Sequence, residues 1–275
     1  MTSLAARQTK SKLPNLRESL EQMDRVLIAF SGGVDSTFLL KIAEDTLGAK
    51  VLAVTARSPA YPEEEYVQAC HLARRMGVEH LTIESRELEN DHFVENPPQR
   101  CYYCKRELFG DLLAIARERG IPFVSDATNL DDCSDYRPGR RAARELGVRS
   151  PLQEVGMTKQ EIRDLSKALG LPTWDKPAMA CLASRFPYGE TITRDGLRRV
   201  AGAERRLREF GFEHVRVRSH ANIARIEVLA GQIEALARAD GRQEIVDALK
   251  ALGFSYVAVD LQGYRTGSLN EELAS

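Results

Sequence analysis

The chain has 275 residues, with 39 Lys and Arg against 40 Asp and Glu, for a formal charge of -1. That length can bury one large core and a second, smaller one. The balanced charge argues against the molecule-wide positive field of a dedicated nucleic-acid binder, so any anion site has to be local. The N-terminal stretch lacks the unbroken apolar core of a signal peptide, and no later apolar run approaches the ~20 residues of a membrane span. A cytoplasmic protein with neither a membrane nor a nucleic-acid partner is expected. Five cysteines, an odd number without an export signal, disfavour a disulfide framework and leave metal binding, catalysis or inert burial.

Between residue 25 and about residue 170, short apolar runs alternate with segments of helical period. "RVLIAF", "VLAVTA", "HLTIE" and "PFVSDA" read as strands. "STFLLKIAEDTLG", "PEEEYVQACHLARRMG", "CKRELFGDLLAIARERG" and "TKQEIRDLSKALG" read as helices, each closing on a glycine suited to a left-handed cap. This alternation predicts an α/β fold, a Rossmann-like parallel sheet covered on both faces. The segment "LPTWDKPAMACLASRFPYGET" breaks it with three prolines and no clear period, as an ordered loop or linker would. Beyond it, "TRDGLRRVAGAERRLREFGF" is helical, "HVRVRS" and "ARIEVL" are strands, residues 231–253 are helical and "FSYVAVDL" is a last strand. Two domains are expected: 1–185, nucleotide-binding, and 186–275, a smaller α+β domain for substrate binding or oligomerisation.

The first strand runs straight into "SGGVDS" and then into a helix. Paired glycines at such a turn let backbone N–H groups approach an anion, and the helix start adds partial positive charge. The loop has neither the G-x-x-x-x-G-K-[ST] spacing nor G-x-G-x-x-G, which excludes a Walker NTPase and a dinucleotide fold. The plainer alternative is a tight turn with Ser36 as helix cap. The motif resembles the PP-loop of ATP pyrophosphatases, which implies ATP bound by Ser31, Gly32, Gly33, Asp35 and Ser36. A second match lies in "SDATNLDD", where Asp126, Asn129, Asp131 and Asp132 could hold Mg²⁺ on departing pyrophosphate. Thr55 and Arg57 stand where such sheets receive base and ribose.

Cys101 and Cys104 sit three apart at or just before a helix start, a setting that favours thiolate. A thioredoxin-type pair should follow a strand directly, and an irregular loop precedes this one. Structural zinc needs a second ligand pair, which the sequence does not offer. Cys70 reads as a small buried hydrophobe and Cys133 as a thiol crowded by carboxylates. Cys181, in the irregular loop, would complete a three-thiolate set suited to a [4Fe–4S] cluster with one iron left open.

Taken together, "AFSGGVDSTFLLK", "DYRPGRRAARELG", "SRFPYG" and "VRVR" followed by "IARIE" resemble the LarE family of ATP-dependent sulfur transferases. The resemblance implies an enzyme that adenylates carboxylates of a small molecule, pyridinium-3,5-biscarboxylic acid mononucleotide, and converts them to thiocarboxylates for the nickel-pincer cofactor of lactate racemase. It implies ATP, Mg²⁺ and, in one branch, a [4Fe–4S] cluster on Cys101, Cys104 and Cys181. The other branch spends a single cysteine, and Ala180 occupies that position here; Cys181 as a shifted sacrificial donor is the minority alternative. Ser184 and Arg185 match active-site positions, Glu204 a metal-binding or subunit-contact acid, and homo-oligomers are implied.

Arg216 and Arg218 lie on one strand face, as a clamp for the substrate phosphate requires, and Arg225 could join them. From 194 to 225 nine arginines face four acids, so the local field is positive. A tRNA-thiolating enzyme would share the loop and cysteines but needs an RNA-binding surface. An amidating synthetase leaves the cysteines unused, and a zinc-bound interaction module leaves the ATP loop unused.

Overall fold

A computed structural model of the chain describes residues 3–134, 138–265 and 267–273. The elements in chain order are α1 (Ser3–Glu21), β1 (Val26–Ala29), α2 (Val34–Leu47), β2 (Val51–Arg57), α3 (Glu63–Arg75), β3 (Glu79–Glu84), α4 (Asp91–Val94), α5 (Arg100–Glu118) and β4 (Phe123–Ser125). There follow α6 (Pro138–Glu145), α7 (Pro151–Glu154), α8 (Lys159–Ala168), α9 (Arg194–Glu209), β5 (Val215–His220), β6 (Ile223–Val228), α10 (Ile233–Ala237), α11 (Ala239–Ala251) and β7 (Tyr256–Val259). The side chain of Cys133 and residues 135–137, which open "DYRPGRR", lie outside the described residues.

The chain divides into two compact units: 1–58 with 63–87 and 99–179, and 59–62 with 88–98 and 180–275. In the first, four parallel strands run in the order β3-β2-β1-β4, with Val26 opposite both Val51 and Phe123. Stepping outward from β1 to β2 to β3 by right-handed crossovers puts α2 and α3 on one face. There Val26, Ile28, Val51 and Ala53 pack under Leu16, Phe38, Leu39, Ala69 and Ile162. The return from β3 to β4 puts α5 on the other, where Leu27, Leu52 and Val54 meet Phe109, Leu112 and Ala143. The alternation in "VLAVTA" therefore encodes burial on both faces, as in other parallel sheets. Helix α8 begins with a capping box, Thr158 and Glu161 bonding each other's backbone N–H, and Lys12 Nζ of α1 reaches the same carboxylate at 2.8 Å.

In the second unit β5 pairs antiparallel with β6, and β6 parallel with β7. Leu197, Val200, Ala203 and Leu207 of α9 are buried, as are Val215, Val217, Ile226 and Val228 of the strands. The α/β architecture with a smaller mixed sheet is the one the alternation predicts. Departures from the reading include the helix α1, the short helices α4 and α7, the helix α6 over "PGRRAARE", and a break in 231–253 at Arg238, whose extended backbone (φ −63°, ψ 151°) separates α10 from α11. Among the described residues no helix is long and apolar enough to cross a membrane.

Candidate active site

Phe30 ends the first strand, and the loop turns at Gly32 with φ +69°. A Cβ at Gly32 would stand 2.9 Å from the Ala69 Cβ and 3.0 Å from its Cα, so α3 backs the loop directly. Ser31 Oγ and Ser36 Oγ are 3.0 Å apart, and Ser36 Oγ donates to the Gly33 carbonyl at 3.3 Å. The cap of α2 is Gly33 rather than Ser36, and no side chain caps it. Ser36 lies one turn further on, and the first amides of α2 are left to a ligand. Gly32→Ala combines about 1–2 kcal/mol of left-handed strain with a backbone collision. ATP binding measured by calorimetry should fall by at least about tenfold, the equivalent of about 1.4 kcal/mol.

Asp35, in the first turn of α2, holds Lys159 Nζ at 2.5 Å through Oδ2, while among the described residues its buried Oδ1 meets no hydrogen-bond donor in good geometry. Burial pushes the Asp35 carboxyl up, against the opposing pull of Lys159. The Lys159 backbone N–H donates to Asp131 at 2.7 Å, and Asn129 Oδ1 accepts from the N–H groups of Asp131 (2.9 Å) and Asp132 (3.3 Å). Asp35, Asn129, Asp131, Asp132 and Lys159 thus meet at the carboxyl edge of the sheet. Lys176 Nζ donates to the Gly32 carbonyl at 3.3 Å and pairs with Glu65 at 2.7 Å. Sequence reasoning missed both lysines; the signal for Lys159 was its place just inside a capping box.

Other expected residues sit differently. Asp126 accepts from Thr128 N–H at 3.1 Å, Thr128 Oγ1 at 2.8 Å and Ser150 Oγ at 2.7 Å, so it organises its own turn. Thr55 is 4% exposed and donates to the Phe30 carbonyl at 2.8 Å, which makes it a brace for the strand end and not a surface for a base. Arg57 is exposed and paired with Glu63 at 2.8 Å.

Cys101 and Cys104 occupy the first turn of α5, one exposed and the other half-buried, where their spacing of three places them on one side of the helix. Gly139 of α6 lets the two helices meet: a Cβ there would stand 3.2 Å from the Cys101 carbonyl and 2.8 Å from Lys105 Cγ.

Cys181 belongs to the second unit, half-buried at the cap of a short 3₁₀ turn, Leu182–Arg185. Its carbonyl accepts from Ser184 Oγ at 2.7 Å, and Arg185 Nη1 donates to Ser184 Oγ at 2.8 Å. Arg185, 1% exposed, is paired with Glu204 at 2.7 Å. Glu204 also accepts from Val217 N–H at 3.2 Å and Arg208 at 3.1 Å. Glu204, expected as a metal-binding or subunit-contact acid, thus has its buried oxygens engaged by Arg185, Arg208 and the Val217 N–H.

Arg216 and Arg218 do lie on one face of β5, but their guanidinium groups differ. Arg218 makes a two-toothed pair with Glu227 (2.9 and 3.0 Å) and donates to the Ser184 carbonyl and to Ser268 Oγ at 2.8 Å. Arg225 shares Glu227 and pairs with Asp260. Arg216 lies 5.2 Å over the Tyr264 ring, and burial, together with Arg185, pulls its pKa below the usual guanidinium value. A cation so destabilised gains most from an incoming anion. Sequence reasoning missed Glu227, which engages Arg218 and Arg225, whereas Arg216 pairs with no carboxylate among the described residues and donates to the Val215 carbonyl at 2.9 Å and the Tyr264 hydroxyl at 3.5 Å. Among the described residues no three His, Cys, Asp or Glu side chains stand in metal-holding geometry.

The NAD synthase family model matches residues 11–100. Over nearly its whole length the chain is similar to an uncharacterised protein of Synechocystis, 47% identical over 264 residues that cover 96% of this chain and 98% of that one. It is likewise similar to pyridinium-3,5-bisthiocarboxylic acid mononucleotide synthase of Lactiplantibacillus plantarum, 41% identical over 264 residues, 96% of this chain and 95% of that one. With tRNA-specific 2-thiouridylase MnmA of Xanthobacter autotrophicus the identity is 28% over 211 residues, 62% of this chain and 54% of that one.

A parallel sheet whose first strand delivers an uncapped Ser-Gly-Gly-Val-Asp-Ser turn is the nucleotide site of the PP-loop ATP pyrophosphatases, ATP-dependent enzymes. Within them the chain belongs to the LarE family, that of the pyridinium-3,5-bisthiocarboxylic acid mononucleotide synthases.

Proposed function

We propose that this enzyme adenylates the carboxylates of pyridinium-3,5-biscarboxylic acid mononucleotide with ATP and converts them to thiocarboxylates. The observation that carries the reading is the 41% identity with the synthase over 96% of the chain, together with the open PP-loop turn. A tRNA-thiolating role is disfavoured, since likeness to the thiouridylase is confined to part of each chain.

A carboxylate is a poor acyl donor because its leaving group would be oxide. Its oxygen attacks the α-phosphorus of ATP, the bond to the β-phosphate oxygen breaks, and pyrophosphate leaves. A sulfur nucleophile then attacks the acyl carbon and AMP departs, so each carboxylate consumes one ATP and one sulfide equivalent. Residues 31–36 cradle the phosphates through backbone N–H groups. The orphaned Oδ1 of Asp35 fits Mg²⁺, which would neutralise charge on pyrophosphate once Lys159 is drawn to the phosphates. Arg216 takes the phosphate of the substrate, while Arg218 secures the Ser184 turn.

The donor chemistry of Cys101, Cys104 and Cys181 is that of iron–sulfur ligands; were a cluster held by these thiolates, it would supply the transferred sulfur. The protein acts in the cytoplasm as a homo-oligomer, and its product is a precursor of the nickel-pincer cofactor of lactate racemase. The test is anaerobic incubation with ATP, sulfide and the biscarboxylate, following AMP and thiocarboxylate by mass. One AMP per sulfur is expected, and sulfur incorporation without AMP would overturn the reading. Iron and acid-labile sulfide should accompany the anaerobically purified protein, and zinc in their place would refute the cluster.

A further inference from the structure

His80 of β3 takes no part in this chemistry, yet its ring stands behind the strand end that launches the PP-loop. Its Nε2 lies 2.8 Å from Thr55 Oγ1, which in turn lies 2.8 Å from the carbonyl oxygen of Phe30. A carbonyl oxygen only accepts, and a hydroxyl has one hydrogen to give. Thr55 therefore donates to Phe30 and must accept from His80, which fixes the ring proton on Nε2. The ring also meets Phe30 edge to face, with centroids 6.2 Å apart at 88°. The N–H of Phe30 is spent on the Val54 carbonyl at 2.9 Å. The last residue before Ser31 is thus held at its N–H, its carbonyl and its ring.

We infer that His80 is a positioning residue for ATP: through Thr55 it fixes the Phe30 carbonyl, and with it the direction in which residues 31–36 leave the sheet. This rests on the reading of that loop as the ATP site. Without the imidazole donor, the Thr55 oxygen is left buried and unsatisfied and its hydroxyl is free to turn away from Phe30.

The test is a double-mutant cycle on the full chain, His80→Phe and Thr55→Val singly and together, with His80→Gln as the conservative variant. Binding of Mg·ATP is measured by calorimetry, and AMP formation from ATP and the biscarboxylate is measured at saturating ATP. Each single change should weaken ATP binding by about 3- to 10-fold, one hydrogen bond's worth. The pair should be no weaker than the worse single, because both remove the same link. His80→Gln, whose amide can donate from a similar place, should bind close to wild type, and the maximal rate of AMP formation should stay within about twofold in all folded variants, since positioning moves KM and not kcat. Additive losses, or no rescue by Gln, would overturn the inference. So would ATP binding unchanged in His80→Phe while Ser36→Ala weakens it. If Ser36→Ala and Gly32→Ala also leave binding intact, the ATP-site reading itself fails.

Discussion

Replacing Cys104 with serine is expected to end repeated thiocarboxylate formation while leaving the ATP half-reaction running. The two steps draw on different residues. In the proposed mechanism AMP transfer draws on residues 31–36 and Lys159 of the sheet edge, and no thiol stands among them. Sulfur delivery in that mechanism draws on thiolates, and serine is a harder donor whose hydroxyl does not ionise near neutral pH. Loss of a ligand should reduce thiocarboxylate yield by more than about 100-fold, since even changes outside the ligand shell cost 10- to 100-fold in metal affinity. Bound iron should fall with it, whereas pyrophosphate release in the first turnover should change by less than about threefold, as expected of a residue outside that step. Continued multiple turnover in Cys104→Ser, or in Cys181→Ala, would remove the cluster from the mechanism. A sacrificial Cys181 has its own signature: wild-type protein would stop after a single sulfur per chain, with dehydroalanine at 181.

Glu204→Ala should be the most damaging single change away from the nucleotide. The carboxylate and Arg185 are both about 1% exposed, so deletion strands a guanidinium in the core. Breaking a buried pair from one side costs roughly 3–5 kcal/mol. Denaturant unfolding should show that loss, and a change below about 1 kcal/mol, the range of an exposed pair, would contradict it. The pH dependence has a definite sign. Burial alone would raise the Glu204 pKa, but Arg185, Arg216 and the Val217 N–H together bring it below its ordinary 4.5. A depressed carboxyl stabilises the fold above the unfolded pKa and loses that contribution as pH falls through the folded one. Wild type should therefore weaken below about pH 4.5 more steeply than Glu204→Gln. Function should suffer as well, because Arg185 also donates to the Ala180 and Cys181 carbonyls at 3.4 Å and so shapes the turn that carries Cys181.

The PP-loop was legible because three independent signals coincide there: an apolar strand, a turn that only glycine can make at position 32, and a helical period that begins at once. The parallel sheet was legible for a similar reason, since both faces of each inner strand are apolar. What escaped the sequence is side-chain bookkeeping. An arginine pair spaced by two reads as a clamp, yet Glu227, nine residues beyond Arg218 on the neighbouring strand, engages one of the two. Thr55 lies in the right strand for a nucleotide contact, but its hydroxyl is turned to Phe30 by a histidine whose own strand gives no local hint of it. Glu204 looks like any helical acid until the fold buries it. Helix α1 carries a proline, Pro14, inside its span where proline ordinarily signals a break, and the interruption at Arg238 carries no glycine or proline to mark it.

Gly139 gives the helix pair α5 and α6 a use beyond packing. With no side chain there, the second helix rests almost against the carbonyl of the first thiol-bearing residue, so one added methyl would push against the Cys101 backbone and the Lys105 stem while leaving both cysteines chemically intact. The spacing of the two helices would in effect be a tuning screw for any inorganic centre that these thiols hold, and one that protein engineers could turn without touching a cysteine.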